Sequence, residues 1–289
     1  MQSWRLKMTR IFWFFVLLSA AGCATGLKSI ESEGPVNLQF KAVSGREEIN
    51  QYRSSSYYED FEEGQLVREK HEIVDFTIRS MVKGVDPKDK SIVVEIATTS
   101  KDGLVDLHDL AFPELNEVLE VIYSSTGEVL RAGDYPPTSV FYVPPISLPQ
   151  EPVSVGDTWE FSKSWIGAKS GALTRVEIAS ILKGIYNCGP VGRCVEVEIS
   201  GHVVFPTLDE SKARFNSELW GRYLYAYEKG SVLWSKVHSE EQFLTKSGRK
   251  DIWSCMVSFL KEPAAEGIKK AQSLECDPKA PAPAQVPGI

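Results

Sequence analysis

Four histidines, His71, His108, His202 and His238, are the side chains best suited to proton transfer or metal binding near neutral pH. Their spacing assembles neither chemistry. None lies in an HExxH pair, and no two stand at helical metal-ligand spacing. His108 precedes Asp109 in "LHDL", but neighbours along a strand point to opposite faces. No GxSxG elbow presents a hydrolase serine. "GAKSGA" at 167–172 lacks phosphate-loop spacing, and the acidic "YYEDFEEG" at 57–64 lacks the spacing of a calcium loop. A hydrolase would need His202 or His238 to meet a carboxylate in a cleft through folding alone. No catalytic residue, metal or cofactor is expected. The clearest chemical signal is aromatic: Trp220, Tyr223, Tyr225, Tyr227 and Trp234 crowd one predicted hairpin. The three tyrosines share a strand face by period two. Such a group is either cross-strand core packing or the aromatic wall of a cleft for a lipid or sugar.

The elements that must position these residues are strands. "NLQFKAV" (37–43) and "VEVEIS" (195–200) alternate, "SIVVEIATT" (91–99) is rich in β-branched residues, and "REKHEIVDFTIRSMV" (68–82) is a long strand-compatible run. "VLEVIYSSTGEVLRAG" (118–133) and 219–245 read as hairpins turning at Ser124–Gly127 and Glu228–Ser231, and "DIWSCMVSFL" (251–260) as a last strand. Residues 135–154 are dense in proline, which central strands exclude, and are expected to be a connector. "EPAAEGIKKAQSLEC" (262–276) suits a short helix, and the Pro/Ala tail 277–289 cannot build a core and is expected to be disordered.

The two strand-rich stretches look alike. One shift of 103 residues aligns "VEI" at 94–96 with "VEI" at 197–199, Pro87 with Pro190, and Gly127, Val129 and Leu130 with Gly230, Val232 and Leu233. The match predicts an internal duplication. The expected organisation is a first β half over 37–134, the connector 135–154, and a second half with a C-terminal helix over 155–276.

The N-terminus carries different information. Arg5, Lys7 and Arg10 precede an apolar run from Ile11 to Leu18, and small residues follow. This is the order of a secretory signal (1–22), and the run is shorter than the roughly 20 residues of a span. An uncleaved membrane anchor is the alternative. Ala20-Ala21-Gly22-Cys23 resembles the lipobox of bacterial lipoproteins, with Ala20 where Leu is usual. The resemblance implies cleavage before Cys23 and acylation of that cysteine; Gly26, Ser29, Ser32, Gly34 and Pro35 and the lack of periodicity make 23–36 a tether. Ala24 after the cysteine points to the outer membrane, facing the periplasm. Two or more acyl chains anchor stably. With Cys23 set aside, the other four of the five cysteines fall into two local pairs. Cys188 and Cys194 flank a Gly/Pro turn that a disulfide can staple, and Cys255 and Cys276 remain. An oxidising compartment favours both bonds.

"VGDTWEF" (155–161), "STGEVL" and "EKGSVL" resemble short motifs of uncharacterised secreted bacterial β proteins with duplicated halves. The architecture is similar to envelope lipoprotein carriers, whose curved sheets hold acyl chains. The expected fold is all-β, two similar curved antiparallel halves forming an open barrel, sandwich or clam. The net charge of -7 and the lack of a basic stretch past the N-terminus exclude a nucleic-acid partner. A non-enzymatic envelope lipoprotein is expected, reaching the membrane through Cys23 and binding an apolar ligand or an envelope protein. A purely structural or assembly role and a hydrolase are the alternatives.

Overall fold

In the computed structural model, residues 27–31, 34–209, 211–262 and 275–282 are described. Alternating β-branched and aromatic runs leave the backbone one economical way to satisfy its N–H and C=O groups, which is a meander of hairpins. The strands are β1 (Lys28–Ser29), β2 (Glu47–Glu62), β3 (Gln65–Val85), β4 (Ile92–Asp102), β5 (Val118–Tyr123) and β6 (Val129–Ala132). They continue as β7 (Thr158–Ile166), β8 (Leu173–Asn187), β9 (Arg193–Val204), β10 (Ala213–Ala226), β11 (Ser231–Thr245) and β12 (Gly248–Glu262). All twelve belong to one antiparallel sheet in the order β1-β8-β9-β10-β11-β12-β2-β3-β4-β5-β6, with β7 beside β1 on the free edge of β8. The fold is all-β as expected, and its halves share a single sheet. The seam between them is β12 against β2, paired from Gly248–Glu62 to Glu262–Ile49. The predicted helix lies in a stretch, 263–274, outside the described residues.

β2 to β6 and β7 to β11 follow the same meander. Both carry a bulge at the same place. In β3 the register slips between Val82 and Gly84, leaving Lys83 extra; in β8 it slips between Leu182 and Gly184, leaving Lys183 extra. The gap-free alignment is therefore corrected. Val85 pairs with Ile92 directly before a turn, whereas Ile185 pairs with Val195 and the ladder runs two pairs further to Asn187–Arg193. The second hairpin is longer at its tip, so the offset before the turn differs from the offset after it.

The sheet curls until its ends meet. No ladder joins β6 to β7 among the described residues, but Lys163 of β7 reaches Glu128 at 4.0 Å, and Lys169 reaches Asp106 at 3.2 Å and Asp109 at 2.5 Å. The proline-rich 135–154 is more than a connector. Its short 3-10 turn, Val140–Tyr142, packs against both β6 and β7, and the Ile166 amide donates to the Thr138 carbonyl. Proline suits this role because the segment needs few ladder hydrogen bonds.

Three irregular segments fill one end of the inner face. Leu38, 1% exposed, packs with Ile146 and Val153 on Leu182, Val195, Val197 and Tyr225. Phe141 and Tyr142 cover Val94, Val121 and Tyr123, and Leu107 sits on Val74, Phe76 and Ile78. The expected strand at 37–43 is instead an extended plug segment outside the sheet: its alternation reflects Leu38 and Phe40 facing the core, while the Phe40 amide donates to the Ser125 carbonyl. The tether is also shorter than expected. Lys28 and Ser29 pair with Asn187 and Tyr186, and Val36 bridges Val153, so 27–31 and 34–36 belong to the folded body.

Candidate functional site

The five aromatics singled out above do not form one wall. Cross-strand register places Tyr223 on the inner face beside Val197 and Ser235, and Tyr225 beside Val195 and Val232. Tyr223, Tyr225 and Tyr227 are 3%, 0% and 6% exposed, inside the plugged core. The Tyr223 hydroxyl donates to the Ser147 carbonyl at 2.9 Å and that of Tyr225 to the Gln39 carbonyl at 2.7 Å. Burial pushes the tyrosine hydroxyls up. The plug thus occupies the space a ligand would need, and the tyrosines are core. Trp220 and Trp234, of opposite parity to Tyr223 along β10 or its partner, face outward. Trp220 stacks on His238 with centroids 5.5 Å apart, and Trp234 packs with Leu224 and Val257 under the guanidinium of Arg222.

Beyond the plug the inner face changes character. The next row across the sheet is Ser180, Ile199, Gly221, Val237, Met256 and Ser54, and it ends at Val74, which Leu107 covers. After it come Ile178, Gly201, Leu219, Ser239, Ser254, Ser56 and Glu72. Glu241 and Ile252 follow towards the rim. Ile178, Leu219, Val237, Ile252 and Met256 are half-buried and stand outside the core clusters. The result is a concave surface with an apolar side over β8–β10 and a serine-lined side over β11–β2, where Ser56 and Ser254 bond at 2.9 Å. Gly201 and Gly221 deepen it. A Cβ on Gly201 would run into the Glu177 carbonyl, and one on Gly221 would lie 2.5 Å from the Lys236 carbonyl. Desolvation raises the pKa of Glu241, opposed by a hydrogen bond from Ser239. Such a surface can hold an acyl chain on its apolar side and meet a polar head with hydroxyls and Glu241.

Both expected cysteine pairs are bonded. Cys188 and Cys194 staple the β8–β9 turn with Cα atoms 5.9 Å apart, and Cys255 and Cys276 join β12 to the C-terminal segment at 5.6 Å. They fit an oxidising compartment outside the cytoplasm. Cys23 lies outside the described residues.

The histidines are brought to four separate places. His202 meets Glu177 at 3.1 Å on the exposed outer face, and His108, in a 3-10 turn rather than a strand, meets Glu117 at 2.7 Å. His238 is buried beside Cys255, with Nε2 3.7 Å from its sulfur. His71 Nε2 lies 2.9 Å from Ser55 Oγ, but that serine is 2% exposed and the neighbouring Glu69 is bonded to the Tyr57 hydroxyl. Neither His202 nor His238 meets a carboxylate inside a cleft, which the hydrolase reading requires. Among the described residues, no group of three or more His, Cys, Asp or Glu side chains is placed to hold a metal, and no helix is long and apolar enough to cross a membrane. A second depression, at the plugged end, is lined by Lys41, Arg46, Glu48, Glu228, Lys229 and Leu260. Its Arg46 is already engaged by the Lys229 and Lys41 carbonyls and by Glu48.

The sequence reasoning missed the rim surface because period two identifies a face, while register across six strands decides which residues are neighbours. The Gly201 and Gly221 positions, glycines inside strand-like runs, were the available signal.

No family model matches the chain, and no curated protein matches it. Two solved structures show a distant likeness. DynF from the dynemicin biosynthesis pathway of Micromonospora chersina is 9% identical over 82% of this chain and 92% of that one, with a TM-score of 0.22. The COG4313 outer membrane channel from Pseudomonas putida F1 is 7% identical over 79% of this chain and 100% of that one, with a TM-score of 0.21. At these scores neither likeness carries an argument about this chain, which rests on its own geometry.

Proposed function

We propose that the protein is a cell-envelope lipoprotein, held at the membrane by acylated Cys23, that binds the apolar chain of an amphiphile on the unplugged half of its inner face. The observation that carries this is the row geometry beyond the plug: Leu219, Val237 and Met256 half-buried across adjacent strands, with serine hydroxyls and Glu241 at the rim. Covering such side chains is worth roughly 25 cal/mol per Å² of apolar surface removed from water. The anchor sets the body beside a bilayer, the outer membrane by the residue after Cys23, and so beside a supply of acyl chains. The role is binding rather than catalysis.

The test is titration of the delipidated protein with a fluorescent fatty acid, alongside native mass spectrometry of the protein as purified. Leu219→Asp and Met256→Asp are expected to abolish binding, and Tyr227→Phe, within the plugged core, to leave it unchanged. Wild-type protein with no saturable binding and no co-purifying amphiphile would overturn the reading. A second reading, a structural or assembly lipoprotein without a small ligand, is favoured by the filling of the other half of the face with the chain's own residues. It predicts a stable envelope complex and no bound lipid.

A further inference from the structure

On the outer face a lysine of the C-terminal segment lies against two aromatic rings and a carboxylate. Tyr57 on β2 and Trp253 on β12 are paired across the seam, with ring centroids 6.2 Å apart. The Lys279 ammonium lies 3.7 Å from the Tyr57 centroid and 4.5 Å from that of Trp253, and donates to Glu59 Oε1 at 2.7 Å. Two ring faces and one carboxylate converge on one nitrogen, the arrangement that recognises alkylammonium groups. The Tyr57 hydroxyl donates to Glu69, which leaves its ring richer in electrons. The cage is not sealed: the Lys279 side chain keeps 41% of its exposure, against 19% for Glu59.

Lys279 is delivered by a short strap. Cys276 is bonded to Cys255, Pro278 is buried, and Lys236 holds the Glu275 carbonyl. Thus 277–282, expected to be disordered, lie in part against the sheet. The tie is three residues from the lysine, so Lys279 acts as an intramolecular competitor at high effective concentration.

The geometry points to a binding site for a primary alkylammonium group at Tyr57, Trp253 and Glu59, held closed by Lys279. Glu59 accepts an N–H, so a primary amine is preferred over a quaternary one. This site is on the opposite face of the sheet from the amphiphile surface and does not depend on it.

The experiment titrates the mature, disulfide-bonded chain with n-butylammonium and with tetramethylammonium, following the fluorine resonance of fluorotryptophan placed at position 253. Lys279→Ala is expected to bind n-butylammonium about tenfold more tightly than the wild type, as removal of a tethered competitor requires. Lys279→Met, which keeps the aliphatic stem, is expected to show the same gain if the alanine variant is unfolded. Adding Tyr57→Ala or Glu59→Gln to the Lys279 variant should remove most of the gain, and tetramethylammonium should bind more weakly than n-butylammonium. Equal affinity in wild type and both folded Lys279 variants, or a gain indifferent to Tyr57→Ala, would overturn the assignment. Fatty-acid binding is expected to be unaffected in all of them, so this result and that of the inner face are read separately.

Discussion

Lys83 and Lys183 occupy the same bulge in two hairpins of one sheet. Each is the extra residue before a glycine, and each reaches a glutamate on the following strand, Glu95 at 3.1 Å and Glu198 at 3.4 Å. A bulge aims its extra side chain and tightens local twist, so its recurrence marks the two halves as one design used twice. These ion pairs are exposed, and removing either lysine is expected to cost less than ~1 kcal/mol, with Lys183→Met and Glu198→Gln coupled by a few tenths in a double-mutant cycle. Urea unfolding of the four proteins measures it.

Gly201→Ala and Gly221→Ala should be costly, because the added methyl meets the backbone of the neighbouring strand rather than a movable side chain. A loss of about 1–3 kcal/mol each is expected. Gly84→Ala, with open space around its Cβ, is the control and should lie within about 0.5 kcal/mol of the wild type. Thermal unfolding with matched circular dichroism decides.

The disulfides should separate by loop length. Cys188 and Cys194 close six residues and Cys255 and Cys276 twenty-one, so double replacement by alanine is expected to cost about 2 and about 3 kcal/mol respectively. The second change also frees the strap, and Lys279 should then become accessible to amine-reactive reagents faster than in the first. Mass mapping reports both.

Burial lowers the pKa of His238, with Lys236 acting the same way and Asp277 opposing. The folded state therefore binds this proton less well than the unfolded chain, whose histidine titrates near about 6.5. Stability from this group is present above that value and falls as pH drops through it, until the folded pKa is reached. His238→Phe, which keeps a ring against Trp220, should flatten the urea midpoint between pH 7 and pH 5. An unchanged slope would place the pH dependence elsewhere.

Cys23→Ala should move the protein from the membrane to the soluble envelope fraction. Retention in the membrane would identify the apolar run as an uncleaved anchor.

The strand runs, the hairpin turns at 124–127 and 228–231 and both cysteine pairs were legible because each is a local matter: alternation, turn-forming residues, or a loop short enough to close. The single offset between the halves was only partly right, since a lengthened hairpin tip is invisible when landmark residues still align. "NLQFKAV" had the right periodicity for a strand, but alternation records only which residues face apolar surface, and a plug segment lying on a sheet needs the same pattern as a strand within it.

By itself the sequence determined a disulfide-bearing chain of antiparallel hairpins in two similar halves, since those properties follow from short-range residue patterns. Tertiary structure alone decided the β12–β2 seam, the filling of the tyrosine face by residues far away in the chain, and the meeting of Tyr57, Trp253 and Lys279. Each depends on register between distant strands, where a slip of one residue would send every side chain to the other face.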